Sequence, residues 1–217
     1  MISDPGEKEG FAQLVLRLRT EGISDQQLVK AVEQTPRSAF TPPAYLDAAY
    51  SKRTIPIECG AYMEGADLCL RMLHLLMLES GQRVLEVGTG SGFSAAVMSQ
   101  IVNRVVTVDR YRTLCDLAGQ RFSRLGIANI SVDASDGQNA SADQGTFDRI
   151  LVTSAFQEMP RAFADRLVSG GVMIGALGGT EEPQMLVRLT KIGSRFERED
   201  LFPVRFQPIA SGVARNL

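Results

Sequence analysis

The sequence predicts an α/β fold, a doubly wound and mostly parallel sheet with an N-terminal helical extension. Three observations carry this. Residues 83–92 read Arg-Val-Leu-Glu-Val-Gly-Thr-Gly-Ser-Gly, a short apolar run that ends in three glycines at alternate positions. From Val84 onward, apolar runs alternate with amphipathic stretches. The second of these runs, Val105 to Val108, ends in an acid, Asp109. A buried strand, a glycine turn and a following helix form the ligand corner of such a sheet.

The elements follow in order. Phe11, Leu14, Val15 and Leu18 recur at helical spacing and predict a helix over 7–20, closed by Gly22. Ser24, with Gln27 three residues on, reads as a capping box for a second helix. That helix carries Leu28, Val29 and Val32, and Pro36 ends it. Residues 40–50 hold Pro42 and Pro43 and read as irregular. Residues 54–65 show no period and read as a loop before a helix at about 66–78. Strands are expected near 84–87, 105–108, 129–132, 148–153 and 172–177, with final strands over 185–191 and 202–206. Between them fall a helix with Phe93, Ala96, Val97 and Ile101 on one face, a helix with Leu114, Ala118, Phe122 and Leu125, and a helix entered by Pro160. Gly170-Gly171 reads as a tight turn before a strand. The expected organisation is one domain over 1–217, with helices and a loop in 1–80 and the sheet core in 81–217.

Composition narrows the functional classes. The 217 residues are 44% hydrophobic, with a net charge of −2 and no basic block, so bulk electrostatics do not favour nucleic acid. The longest apolar stretch, 72–78 broken by His74, is far too short to span a bilayer, so no membrane role is expected. The opening residues are polar and acidic, unlike a secretory leader. Cys59, Cys69 and Cys115 are odd in number and lack metal spacing. They predict small core residues in a reducing, cytoplasmic setting, with no metal site. His74 is the only histidine, so no Ser-His-Asp arrangement is available; it reads as packed or surface, with Met72 and Met77 as core.

The glycine spacing speaks to the ligand. A dinucleotide fingerprint would need its third glycine at Phe93, and no Gly-Lys-Ser/Thr follows to cradle phosphates. The pattern is instead Gly88-x-Gly90-x-Gly92, with Glu86 before it and Asp109 where a carboxylate can take both ribose hydroxyls. With Asp136-Gly137, these residues resemble S-adenosylmethionine (SAM) binding in the class I methyltransferases, whose core is Rossmann-like. A plain strand-turn-helix with solvated acids, or another nucleotide site, is the competing reading.

Further motifs extend the likeness. Glu21-Gly-Ile-Ser-Asp-Gln-Gln, Thr35-Pro-Arg-Ser-Ala-Phe, Pro56-Ile and the glycine motif occur in that order. Phe147-Asp148, Val152-Thr153-Ser154-Ala155, Glu158-Met-Pro160, Gly170-Gly171 and the closing Pro203-Val-Arg-Phe follow. The chain so resembles the protein-L-isoaspartate O-methyltransferases along nearly its whole length. That family methylates the abnormal α-carboxylate of isoaspartyl residues in aged proteins, and the resemblance implies SAM as cofactor and an isoaspartyl protein or peptide as partner. It also implies that Glu86 and the turn Gly88, Thr89, Gly90, Ser91 and Gly92 hold the methionine end. Asp109 would hold the ribose, Asp136 and Gly137 would border the adenine, and Thr153 and Ser154 would lie beside the transferable methyl.

One segment departs from that pattern. The family loop after Pro-Ile reads roughly Gly-x-Gly-Gln-Thr-Ile-Ser, and its serine contacts the acceptor. Here the loop is Glu58-Cys59-Gly60-Ala61-Tyr62-Met63-Glu64, with Glu64 in the serine's place. A second carboxylate beside a carboxylate acceptor costs roughly 4 kcal/mol at about 4 Å and an effective dielectric near 20. Protonating Glu64 relieves that repulsion and raises its pKa. Glu64 therefore joins Thr153 and Ser154 as a candidate catalytic residue. Three readings stand: an isoaspartyl methyltransferase, a methyltransferase with another acceptor, or a SAM-binding protein without transfer.

Overall fold

A computed structural model describes residues 5–138 and 145–214; the first four residues of the polar opening lie outside that range. Helix α1 spans Pro5–Thr20 and α2 spans Gln26–Gln34. The α2 cap is Asp25, not Ser24: its carboxylate accepts from the Gln27 and Leu28 N–H groups at 2.9 and 3.1 Å. A carboxylate at a helix N-terminus adds favourable charge to the hydrogen bond. Short 3₁₀ turns at Arg37–Phe40 and Pro43–Ala48 order the stretch expected to be irregular.

The 54–65 loop also has structure. Strands β1 (Ile55–Pro56) and β2 (Tyr62–Met63) pair antiparallel around a 3₁₀ turn at Glu58–Gly60. Helix α3 (Ala66–Leu75) follows, stopping short of residue 78. Its C-terminal side carries Met77 in the left-handed region, φ 52°, and 49% exposed, so Met77 is not core, whereas Met72 is buried.

The large sheet contains β3 (Arg83–Val87), β4 (Arg104–Asp109), β5 (Ile130–Ala134), β6 (Phe147–Phe156), β7 (Leu167–Leu177), β8 (Gln184–Ile192) and β9 (Arg195–Val204). Their spatial order is β5-β4-β3-β6-β7-β8-β9, parallel through β7 and antiparallel thereafter. Helix α4 (Phe93–Ser99) links β3 to β4, and α5 (Arg112–Arg124) links β4 to β5. The chain thus winds outward from β3 in one direction, then returns to place β6 on its other side. Ligands bind at the carboxyl ends of the strands flanking such a reversal.

Several expectations change. Helix α4 has no polar face: Phe93, Ala95, Ala96, Val97, Met98 and Ser99 are all buried, and Ile101 lies past its end. It is enclosed between the sheet and the N-terminal helices, which share its core cluster. Leu125 lies at the C-cap of α5 and is 37% exposed. Pro160 leads into a 3₁₀ segment, Arg161–Arg166, rather than an α-helix. The expected strand at 202–206 is the end of the longer β9, whose charged first half hid it. Charges suit an edge strand, since they discourage pairing with a second chain.

The N-terminal helices are fastened to the core by a partly buried ion pair. The Arg17 guanidinium donates to both oxygens of Asp67, each at 2.9 Å, and to the Tyr50 carbonyl at 2.6 Å. Among the described residues, no helix is long and apolar enough to cross a membrane.

Candidate active site

The site begins at the turn after β3. Gly88 and Thr89 donate backbone N–H groups to the Val108 carbonyl at 2.8 and 3.2 Å, which locks the turn to β4. Gly88, Gly90 and Gly92 all have positive φ, 100°, 51° and 87°, a region costly for residues with a Cβ. Their surroundings differ. A Cβ on Gly88 would run into Thr153 Oγ1, and one on Gly92 would meet Phe122 Cζ of α5 at 2.8 Å. At Gly90 it would touch only Ile57 Cδ1, at 3.7 Å, and Gly90 lies on the wall of the main cavity. Only the middle glycine is therefore open toward a ligand; the outer two serve packing.

Asp109 is set by the end of β4. Its Oδ2 accepts from the Gly90 N–H at 3.1 Å and its Oδ1 from the Tyr111 N–H at 3.0 Å. The carboxylate lies on the wall of the main cavity, where a ligand's hydroxyls could reach it. Burial raises its pKa, and the backbone N–H groups around it oppose that rise.

Glu86 lies beneath the turn, fully buried. Ser94 donates to its Oε1, and Thr107 donates to its Oε2 at 2.6 Å. Thr89 Oγ1 completes the chain, 2.8 Å from Thr107 Oγ1. Both carboxyl oxygens are thus engaged within the protein. Burial pushes this carboxyl up to about 7 against those two hydrogen bonds.

One cavity of about 560 Å³ brings together Gly88, Gly90, Asp109, Gly137, Thr153, Ser154 and Glu64. Glu86, Thr89, Ser91, Gly92 and Asp136 do not line it. Thr89 and Ser91 face a smaller recess beside it, where Glu64 and Gly88 also lie. Asp136 turns back to accept from the Gln138 N–H at 2.9 Å. A Cβ on Gly137 would run into Val87 Cγ1, so that glycine lets its loop lie against β3.

Thr153 and Ser154 owe their placement to an irregularity in β6. Leu151 pairs with Ile174 and Ala155 with Ala176, so β6 fits two more residues than β7 between the same points. Bulges of this kind re-aim side chains beside active sites. Thr153 Oγ1 donates to the carbonyls of Val87 and Gly88, at 3.3 Å each, and so bridges β6 to the glycine turn.

Glu64 follows β2 and is half-buried on the cavity wall. Burial pushes its carboxyl up to about 7, with its own backbone N–H and then Arg37 pulling the other way. Arg37 is a site residue that motif reading did not single out. Its guanidinium is 1% exposed, donates to the Ala49 carbonyl at 2.6 Å and to the Glu64 carbonyl, and lies 4.3 Å above the Phe93 ring. The one local signal was Pro36, which stops α2 and turns the next residue inward.

A second unforeseen contribution is the segment 205–210, which also lines the cavity. It is held by two bonds with Ala155, whose N–H donates to the Gln207 carbonyl and whose carbonyl accepts from the Ile209 N–H, both at 2.9 Å. Gln207 Nε2 reaches the Gly60 carbonyl at 3.1 Å, so the C-terminal segment meets the 54–65 loop across the cavity.

Comparison with known proteins identifies the family. The family model for protein-L-isoaspartate(D-aspartate) O-methyltransferase matches residues 9–214. The chain belongs to that family. A protein-L-isoaspartate O-methyltransferase of Rhizobium meliloti (strain 1021) is 52% identical over 204 residues, 94% of this chain and all of the relative. One from Bradyrhizobium sp. (strain ORS 278) is 42% identical over 213 residues, 98% of each chain. Among solved structures, a Plasmodium falciparum chain described as a protein-L-isoaspartate O-methyltransferase, crystallised with S-adenosyl-L-homocysteine, superposes with a TM-score of 0.80. It is 22% identical, with 91% of this chain and 97% of that one covered. The architecture is that of the class I methyltransferases, with the family's N-terminal helices packed on the sheet.

Proposed function

We propose that this chain transfers a methyl group from SAM to the carboxylate of isoaspartyl residues in proteins. The observation that carries the reading is one continuous cavity. Its wall presents the open Gly90 and the Asp109 carboxylate together with Glu64, Thr153 and Ser154. The cofactor fits that cradle. Gly90 leaves room for close approach, Asp109 presents its carboxylate on the cavity wall to a ribose, and the volume suits a ligand of nucleoside size. When bound, SAM supplies a methyl on a positively charged sulfur that departs as a neutral thioether.

The chain's own residues do the remaining work. A carboxylate acceptor is already a nucleophile and needs no general base. The protein must instead align the acceptor with the methyl and exclude water, and orientation of this kind is worth about 7–11 kcal/mol. Asp109 and Gly90 fix the cofactor end. Thr153 ties β6 to the turn and, with Ser154, borders the reacting centre. Glu64 and the 205–210 segment form the acceptor side. In this division, residues 1–80 supply the acceptor loop and 81–217 the cofactor core. Three free cysteines suit a reducing cytoplasm, and an isoaspartyl protein is the expected partner.

The test is methyl transfer from isotopically labelled SAM to a synthetic isoaspartyl peptide, with the aspartyl peptide as control. Base-labile label on the isoaspartyl peptide alone is the expected result. Tight binding of S-adenosyl-L-homocysteine with no transfer to that peptide would overturn the reading and leave a SAM-binding protein.

A further inference from the structure

We propose that Glu64 meets the acceptor carboxylate as a neutral carboxylic acid and donates a hydrogen bond to it, so that acceptor capture depends on that proton. This rests on the isoaspartyl reading and names the residue that would set acceptor affinity.

The geometry leaves Glu64 little choice of position. Its backbone carbonyl is held by the buried Arg37 guanidinium, which is itself anchored to Ala49 and stacked over Phe93. The following residue, Gly65, packs so closely on the Lys52 backbone that no Cβ would fit there. Clamped on both sides, the segment keeps the Glu64 side chain on the wall shared with Gly88 and Thr153.

The charges around it favour the neutral form. Its own backbone N–H and, from the turn after α2, the Arg37 cation stabilise the Glu64 carboxylate, and together they do so less than burial opposes it. Cys69 of α3 adds a thiol whose own titration burial pushes up to about 12. Glu86 of β3 adds a further carboxyl, repelled by Glu64. Asp109, Arg110 and Arg205 line other parts of the cavity, and Tyr62 lies on the same recess. An arriving acceptor carboxylate brings another negative charge, which shifts Glu64 further toward its protonated form. A neutral acid beside a carboxylate forms a short, charge-assisted O–H···O bond, where two anions would repel. The transfer leaves the Glu64 proton in place. The acceptor oxygen gains the methyl as the carbon–sulfur bond breaks, anion and sulfonium both become neutral, and the new ester still accepts from Glu64.

The experiment compares wild type, Glu64→Gln and Glu64→Ser on one isoaspartyl peptide from pH 6 to 8.5. It reads kcat/KM and, separately, peptide affinity by calorimetry with S-adenosyl-L-homocysteine present. Both substitutions supply a donor that does not titrate in this range. Wild-type kcat/KM and affinity should fall about thirtyfold across the range, as one group titrating near 7 requires. In the variants they should change less than about threefold. In wild type, carboxyl-carbon NMR of labelled glutamates should show two groups titrating near 7, Glu64 and Glu86, and the one that disappears in Glu64→Gln should move upward when peptide binds; a Glu64 midpoint below 5 would overturn the proposal. The same pH fall in all three proteins would overturn it too, as would loss of activity at every pH in Glu64→Gln with S-adenosyl-L-homocysteine affinity intact, which would mark Glu64 as a proton acceptor. No turnover by any of the three at pH 6 would instead overturn the isoaspartyl reading, and this inference with it.

Discussion

The Gly90 N–H donates to the Asp109 carboxylate at 3.1 Å, so the middle glycine of the β3 turn and the acid that ends β4 form one unit. The two residues lie nineteen positions apart, one in the turn after β3 and the other at the end of β4, its parallel neighbour. In the proposed function this bond would hold open the glycine beside the cofactor and aim the carboxylate toward its ribose.

Asp109→Ala removes both functions. Losing a hydrogen-bond partner of this charged kind costs about 1.5–3 kcal/mol. Affinity for S-adenosyl-L-homocysteine, measured by calorimetry, should fall about ten- to a hundredfold. Asp109→Asn keeps one oxygen acceptor and should fall between the two. Equal affinity in Asp109→Ala and wild type would remove Asp109 from the cofactor site.

The glycines of the turn should separate under substitution. Gly92→Ala places a Cβ 2.8 Å from Phe122 Cζ, and overpacking of that kind costs about 1–3 kcal/mol of stability. Gly90→Ala meets nothing closer than Ile57 Cδ1 at 3.7 Å, so it carries only the positive-φ cost of roughly 1–2 kcal/mol. Thermal unfolding should rank Gly92→Ala as the less stable protein, while calorimetry should show weakened cofactor binding in Gly90→Ala. A Gly90→Ala protein that binds S-adenosyl-L-homocysteine like wild type would show that the turn does not face the ligand.

Glu86 should make stability depend on pH. Burial raises its carboxyl from 4.5 in the unfolded chain to about 7 in the fold. A raised acid contributes stability that is complete below 4.5 and is lost as pH rises through 7. The urea midpoint should therefore fall between pH 5 and 8. Glu86→Gln, which cannot ionise, should show a shallower fall; Glu64 shifts in the same direction and leaves part of it in place. An identical pH slope in wild type and Glu86→Gln would show that Glu86 titrates elsewhere.

Met77 offers a stabilising change far from the cavity. It holds φ 52° just past the end of α3, where helices commonly place glycine, and its side chain is 49% exposed. Met77→Gly should relieve about 1 kcal/mol of backbone strain and raise Tm by about 2–4 °C, read by thermal unfolding. An unchanged or lower Tm would mean that the exposed side chain contributes more than its backbone costs.

Local signals were reliable where a side chain's surroundings are set by its sequence neighbours. Val84 to Val87 made a buried strand because an apolar run of that length suits a sheet covered on both faces, and the glycines after it turned as their spacing implied. Where two adjacent residues could serve, sequence alone did not choose between them. Ser24 and Asp25 are both good caps, and in the fold it is Asp25 whose carboxylate meets the Gln27 and Leu28 N–H groups. Glu86 illustrates a different limit. Its position before the glycines marked it as part of the site, but only the fold showed both oxygens taken by Ser94 and Thr107.

The linear chain contained the parallel core, the glycine turn and the acid opposite it, because hydrophobic period and glycine spacing are written within about ten residues of one another. It also contained the exchange of serine for Glu64. Tertiary structure decided where that carboxyl lies. Arg37, twenty-seven residues earlier, grips its backbone, and the β6 bulge brings Thr153 to the same wall. Residues 205–210 close the cavity from the far end of the chain. These placements depend on strand register and on a buried charge seeking distant carbonyls, and neither leaves a periodic trace in sequence.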